Sequence, residues 1–350
     1  MKLRIIFTLA LATIAGCSSS SSPTSSTPTP QTNVPPGWSD SLNFGHYIIP
    51  GDFATFGTDL FIFTGQGIFY STDDGITVTE RDAGIYFNTS SGTFMTKDNF
   101  LFAYVPGTGL MRSPDLGKTW AQIGKTVLPF APFVYGNAIY SLSSATAATP
   151  VIRSNDDGDT WTSISAGLPT TGVSGCLLAI GGKLYFETFL NYPYYPVWYS
   201  SSDQGTTWKA YTGPAIAALA RGSNQSAYAC MAVTANGTTL VGRKTFYVPD
   251  TVAIYGAPSG SDNFTPYVKG LEKNIGGIFS IVVSGNNVFA AGRQIYHSTD
   301  NGSTWTDITP TNPVNVSYSL VGIADGVLFA GGTGGYSSGV LVRRPLSDFK

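Results

Sequence analysis

Charge is scarce in this 350-residue chain: only 11% of residues are Asp, Glu, Lys or Arg, less than half the ~25% usual for globular proteins. Glutamate occurs only at Glu80, Glu187 and Glu272, which excludes long exposed helices and coiled coils. Histidine is limited to His46 and His297 and cysteine to three positions, so no metal-ligand cluster is visible and no cofactor is expected. Basic runs are absent as well. With a net charge of −2 that falls to −4 once Lys2 and Arg4 leave with the leader, the chain has no electrostatic footprint for nucleic acid. What is abundant is apolar and turn-forming: 42% hydrophobic and 13% aromatic residues, with 41 Gly and 21 Pro. Such a chain buries a large core, which excludes disorder throughout. Its polar surface is built from Ser, Thr, Asn and Tyr, as expected of an extracytoplasmic all-β protein.

The first sixteen residues read as a secretory signal peptide: Lys2 and Arg4, an apolar run through Ile14, then small residues. The apolar run is too short to span ~30 Å of hydrocarbon as a helix. Ile14-Ala15-Gly16-Cys17 resembles the bacterial lipobox, which implies cleavage before Cys17 and acylation of that residue. Diacylglycerol plus an amide-linked chain anchors a protein stably to a membrane. Ser18 follows the cysteine, which by analogy with the Gram-negative sorting rule favours the outer membrane. Residues 17–36 comprise the lipidated Cys and a tether of Ser, Thr, Pro, Gln, Asn and one Val, with too little apolar surface to fold. At ~3.1 Å per residue when extended, it holds the body up to ~60 Å from the lipid.

From 37 to 350 one phrase recurs. Ser71-x-Asp73-x-Gly75-x-Thr77-Val78 is followed by Ser113-x-Asp115-x-Gly117-x-Thr119-Trp120 and Ser154-x-Asp156-x-Gly158-x-Thr160-Trp161. Ser201-x-Asp203-x-Gly205-x-Thr207-Trp208 and Ser298-x-Asp300-x-Gly302-x-Thr304-Trp305 complete five copies of this box. A period of 40–50 residues means a solenoid or a propeller. The chemistry fits a turn: the Asp carboxylate folds onto main-chain N–H groups, the Gly takes positive φ, and the Trp opens the next strand. Asp73, Asp115, Asp156, Asp203 and Asp300 are therefore structural, since a catalytic acid does not recur in every repeat.

The phrase resembles the Asp-box, or BNR, repeat of sialidases and related β-propellers. Residues 254–265 align without gaps on 295–306 as a degenerate copy, with Phe264 at the Trp position and Ser259 at the box Asp. With Trp38 the anchors fall at 38, 78, 120, 161, 208, 264 and 305. Short apolar runs before the boxes, at 67–70, 109–112, 150–153 and 294–297, read as third strands. Three more strands, around 318–323, 327–330 and 339–343, follow the last anchor. The pattern predicts an all-β, seven-bladed propeller of four-stranded antiparallel blades, its last blade closed by the N-terminal strand at Trp38. Six blades with an additional N-terminal strand is the alternative.

The turns joining strands one to two and three to four share one face, so the boxes lie opposite the remaining loops. On that other face the sequence varies most. Tyr192, Tyr194 and Tyr195 stand in the fourth blade, and Arg243, Phe246 and Tyr247 in the fifth. Arg293 follows a second-strand Gly as Arg243 does, and Tyr86-Phe87 and 269–273 lie in links between blades. Aromatic rings and two arginines suit a sugar or a peptide, with a carboxylate or phosphate held by the guanidinium groups. The opposite expectation is that these rings fold back over the rim.

The sialidase resemblance implies three substrate-binding arginines, a Tyr–Glu nucleophile pair and an Arg-Ile-Pro motif. No Arg-Ile-Pro exists here, and only eight arginines follow the leader. Glu187, near Tyr185 in a second strand, is the one candidate for a catalytic carboxylate under a glycoside-hydrolase alternative. The repeat frame also resembles the photosystem II assembly factor family, single propellers that bind a partner without catalysis. The expectation is a lipid-anchored binding or assembly module with a protein or glycan partner. Cys176 and Cys230 fall in inner strands of adjacent blades, as a disulfide or as two buried small side chains. Gly331 to Gly335, glycine at four of five positions, reads as a blade turn.

Overall fold

The computed structural model describes residues 38–40, 50–56, 58–85, 92–124, 128, 130–143, 149–190, 195–213, 228–243, 253–272, 277–310, 316–333 and 339–349. The chain divides into two units, 1–30 and 31–350, and the first lies outside the described residues, as do Cys17 and the tether.

The second unit is a ring of seven four-stranded antiparallel sheets. Blade 1 consists of Pro50–Phe56, Asp59–Thr64, Gly67–Ser71 and Thr79–Glu80. Blades 2 to 6 repeat this order in sequence, each starting with its inner strand: Thr93–Lys97, Phe133–Tyr135, Val173–Ile180, Tyr228–Val233 and Ser280–Ser284. Blade 7 takes its inner three strands from Ser317–Ala324, Val327–Thr333 and Gly339–Pro345. Its outer strand is Ser39–Asp40, paired antiparallel with Arg343 and Val342. Strands from the two ends of the propeller thus share one blade, and the expected closure is what the structure has.

Second strands are buried along almost their whole length, as in Leu60–Thr64 or Leu184–Thr188, without alternation. A neighbouring blade covers each of their faces, so both side-chain rows need to be apolar. Outer strands are two or three residues long and mostly exposed, which blunts the sheet edges. The core lies between blades: Phe61, Phe63, Leu101, Val105, Met111 and Trp120, for example, fill the seam of blades 1 and 2.

In the first box, Ser71 Oγ donates to Asp73 Oδ1 at 2.9 Å and accepts from Gly75 N at 2.8 Å. Asp73 also accepts from Thr77 N at 2.8 Å and from the Thr77 hydroxyl at 2.6 Å. The same four bonds recur in the other boxes. Two consecutive residues, not the Gly alone, take positive φ: Leu116 stands at 57° ahead of Gly117 at 76°.

One expectation is corrected here. Gly331 and Gly332 continue the second strand of blade 7 instead of forming a turn. The inner strand shifts register between Tyr318 and Leu320, and any Cβ on Gly332 would collide with the Ser317 carbonyl. Gly is needed there for close approach of two strands.

Candidate functional site

The face opposite the boxes carries the turns between second and third strands. Arg243 ends the second strand of blade 5, its main chain paired with Tyr228. Arg293 occupies the corresponding turn of blade 6, where it is exposed and its carbonyl accepts from Tyr318 N of blade 7 at 3.3 Å. Beside it, Gln294 Nε2 donates to Glu272 Oε2 of the inter-blade link at 2.9 Å. The topology therefore sets both arginines on one face, in adjacent blades, with an acid–amide pair next to Arg293. Tyr195 opens the third strand of blade 4 opposite Leu190. Tyr192, Tyr194, Phe246 and Tyr247 lie outside the described residues, as do the side chains of Arg243 and Tyr195.

Glu187 lies mid-strand in blade 4, between Phe186 and Thr188, and is paired across with Trp198. It is 0% exposed, so substrate from solvent does not reach its carboxylate in this conformation. Tyr185, two residues earlier, sends its hydroxyl to Asp262 Oδ2 at 3.4 Å, and Tyr211 donates to the same oxygen at 2.8 Å. Burial, then the hydrogen bond to Asp262 and its charge, pushes the Tyr211 hydroxyl up to about 12. Tyr185 is raised further for the same reasons. Both phenols stay protonated donors near neutral pH. Lys183 Nζ stands 3.9 Å from Asp262. This group joins blade 4 to the degenerate turn of blade 5, where no box Asp is present. Asp262 was not a sequence candidate, because it stands at a variable position of the degenerate box, aligned with Ser303.

Four arginines have a structural assignment that their sequence positions did not disclose. Arg343, Arg81, Arg112 and Arg153 donate to the carbonyls of Asp74, Leu116, Asp157 and Gln204, at 3.0, 3.3, 3.1 and 3.2 Å. Each acceptor is the first positive-φ residue of the next blade's box. The strained turn aims that carbonyl at the preceding blade, and the guanidinium satisfies it. The box thus fastens one blade to another as well as closing its own hairpin.

His297 is packed rather than poised for chemistry. Its ring stacks on Phe289 at 4.8 Å and lies against Phe349, with Nε2 2.7 Å from Asn287 Oδ1. Burial, then the Arg344 charge, lowers its pKa, so it is neutral at pH 7. Cys176 is half-buried in blade 4, and the Cys230 side chain lies outside the described residues.

Asp52 is a second unforeseen group. It sits where the inner strand of blade 1 shifts register and accepts from Phe53 N at 2.9 Å and from Phe94 N of blade 2 at 2.6 Å. Burial, only partly offset by those bonds, raises its carboxyl to about 6.

This architecture defines the class: a single closed seven-bladed propeller. No family model matches the chain, and no curated protein matches it. Solved structures do. YCF48 bound to D1 peptide is similar with a TM-score of 0.57 at 15% identity, over 88% of this chain and 97% of that one. YCF48 from Cyanidioschyzon merolae gives the same TM-score and identity over 89% and 99%. The extracellular domain of the putative hybrid two component system BT4673 from B. thetaiotaomicron is similar at 0.58 and 12% identity. That match spans 87% of this chain and 39% of the other. At such identities the likeness shows the propeller fold alone.

Proposed function

We propose that the protein is an extracytoplasmic binding module, lipid-anchored through Cys17 at the outer membrane, whose propeller holds a polypeptide partner and catalyses no reaction. The leader, Cys17 and the Ser/Thr/Pro tether are what support the anchoring. The observation that carries the polypeptide reading is the match, over nearly the whole of both chains, to a single propeller solved with a peptide bound. The face bearing Arg243 and Arg293 supplies cationic groups suited to carboxylates of such a partner. Glycoside hydrolysis is the second reading, and Glu187, its one candidate acid, is wholly buried.

The test combines anchoring with capture. Cells fed an alkyne-labelled palmitate are expected to label the wild-type chain and not Cys17→Ser. Crosslinking in the intact envelope is expected to join the chain to one polypeptide, with the adduct reduced at least tenfold by Arg243→Ala plus Arg293→Ala. A wild-type chain without lipid label, or an adduct indifferent to both arginines, would overturn the corresponding half. Glycan hydrolysis lost in Glu187→Gln would replace the reading with the enzymatic one.

A further inference from the structure

Among the described residues each inner strand pairs with one strand only, the second strand of its own blade. Its other edge borders the central channel with main-chain N–H and C=O groups that no strand satisfies. Where a neighbouring blade offers a polar side chain, these groups take it. Phe94 N donates to Asp52 Oδ2 at 2.6 Å, and the Val321 carbonyl accepts from Ser280 Oγ at 3.1 Å.

One sector of the channel is lined by apolar side chains, although two of its main-chain groups, Phe53 N and the Val321 carbonyl, already have side-chain partners. A cavity of about 320 Å³ is bounded by residues 53–55, 232–233, 281–283 and 321–323, on the inner strands of blades 1, 5, 6 and 7. Thr55 alone among them has a polar side chain, and none is ionisable. Val233 is 61% exposed, an apolar surface left open to water beside the cavity. Three of the four lining strands shift register shortly before it, between Pro50 and Asp52, Tyr228 and Cys230, and Tyr318 and Leu320. Such bulges re-aim side chains and are frequent beside binding sites. The floor is fitted as well: Phe53 packs on Gly322 so closely that a Cβ there would lie 2.9 Å from the ring.

Three classes of occupant are told apart by this chemistry. A charged group would meet no counter-charge in the lining and would lose its hydration. A plain hydrocarbon would match the walls but leave the main-chain edge without partners, at the cost of burying unsatisfied donors and acceptors. A neutral chain that alternates amides with apolar side chains satisfies both features. The volume, about ten waters' worth, takes a side chain with its flanking amides and not a folded element.

We propose that this cavity receives a short uncharged, apolar stretch of polypeptide, its aliphatic side chain seated against Phe53, Ile281, Val283 and Val233. Its amides pair with channel-facing main-chain groups of these strands other than Phe53 N and the Val321 carbonyl, which are already bonded. The inference rests on the reading of the protein as a polypeptide-binding module and adds the residue class recognised and the place.

The experiment is ligand-observed NMR titration of the full chain with three probes: acetyl-Leu-Leu-amide, acetyl-Ser-Ser-amide and the amide-free 4-methylpentanol. The leucine peptide is expected to bind at least tenfold more tightly than either other probe. Val233→Asp, at an exposed position, and Gly322→Val, which drives Phe53 into the cavity, are each expected to weaken it at least tenfold. Equal binding of the serine peptide, tighter binding of the alcohol, or leucine-peptide binding unchanged in Val233→Asp would overturn the proposal. Should the leucine peptide fail to bind while the envelope crosslink persists, the cavity assignment falls and the module reading stands. Binding of that peptide with no envelope adduct supports the cavity and overturns only the Arg243 and Arg293 face as the place where the partner is held.

Discussion

The indole N–H of Trp38 donates to the carbonyl of Ile308, 270 positions further along the chain, at 2.9 Å. Trp120, Trp208 and Trp305 make the equivalent bond to Arg81, Ile164 and Tyr267, at 2.7, 2.6 and 3.0 Å. Each acceptor belongs to the preceding blade, just beyond its outer strand. Closure of the ring between blades 6 and 7 therefore uses the same joint as the seams inside it, with the tryptophan supplied from the other end of the propeller.

Trp38 is 5% exposed, so Trp38→Ala is expected to destabilise the fold by about 3–5 kcal/mol, the usual cost of emptying a large aromatic site. Trp38→Phe is expected to cost less, about 1–2 kcal/mol, because it loses mainly the bond to Ile308 and Phe264 already occupies the same place in blade 5. Urea denaturation of the two variants checks the order.

Arg343→Met removes the donor to the Asp74 carbonyl and with it a tie from blade 7 to blade 1. A loss of about 1.5–3 kcal/mol is expected, typical of a hydrogen bond from a charged group. Lys in place of Arg343 is expected to recover less than half, since a point charge replaces a directional fork. Equilibrium unfolding of both variants measures it.

Hydrogen bonds from the Thr207 hydroxyl and main chain, then from Ser201, hold Asp203 down to about 2, below the ordinary ~3.9. A depressed acid contributes stability that is complete above the unfolded pKa and is lost as pH falls through the folded one. The protein is therefore expected to lose stability between about pH 4 and pH 2, and Asp203→Asn to lose less across that interval. Thermal melts at stepped pH follow both.

Asp52 has the opposite sign. Its folded pKa, about 6, lies above the unfolded value, so its protonated form favours the fold and stability declines as pH rises from about 4 to 6. The decline is expected to be of the order of 2 kcal/mol and to disappear in Asp52→Asn, which keeps an acceptor for Phe94 N. Denaturation at pH 4, 5, 6 and 7 resolves it, and an unchanged slope in the variant would contradict the assignment.

The ring was legible because its punctuation is chemical. Ser, Asp, Gly and Thr at fixed spacing specify a turn by local hydrogen bonds, and a local rule survives reading one residue at a time. The anchors at Trp38 and Phe264 then set the blade count. What stayed hidden depends on contacts between blades. Arg112 and Arg153 stand just before box turns in the sequence, with nothing local to mark a partner, yet they satisfy carbonyls aimed at them by the turns of the next blade. Asp52, Asp262 and the channel cavity likewise exist only once strands distant in sequence are placed side by side. Arg243 and Arg293 do share a face, because strand order alone puts second-to-third turns together.

The most direct measurement places a photo-crosslinking amino acid at position 293 in the full chain, in intact cells, with the same group at Ile76, an exposed box-turn residue on the opposite face. The account predicts one polypeptide adduct from position 293 and none from position 76. Adducts of equal yield from both faces, or no polypeptide adduct from position 293, would contradict it.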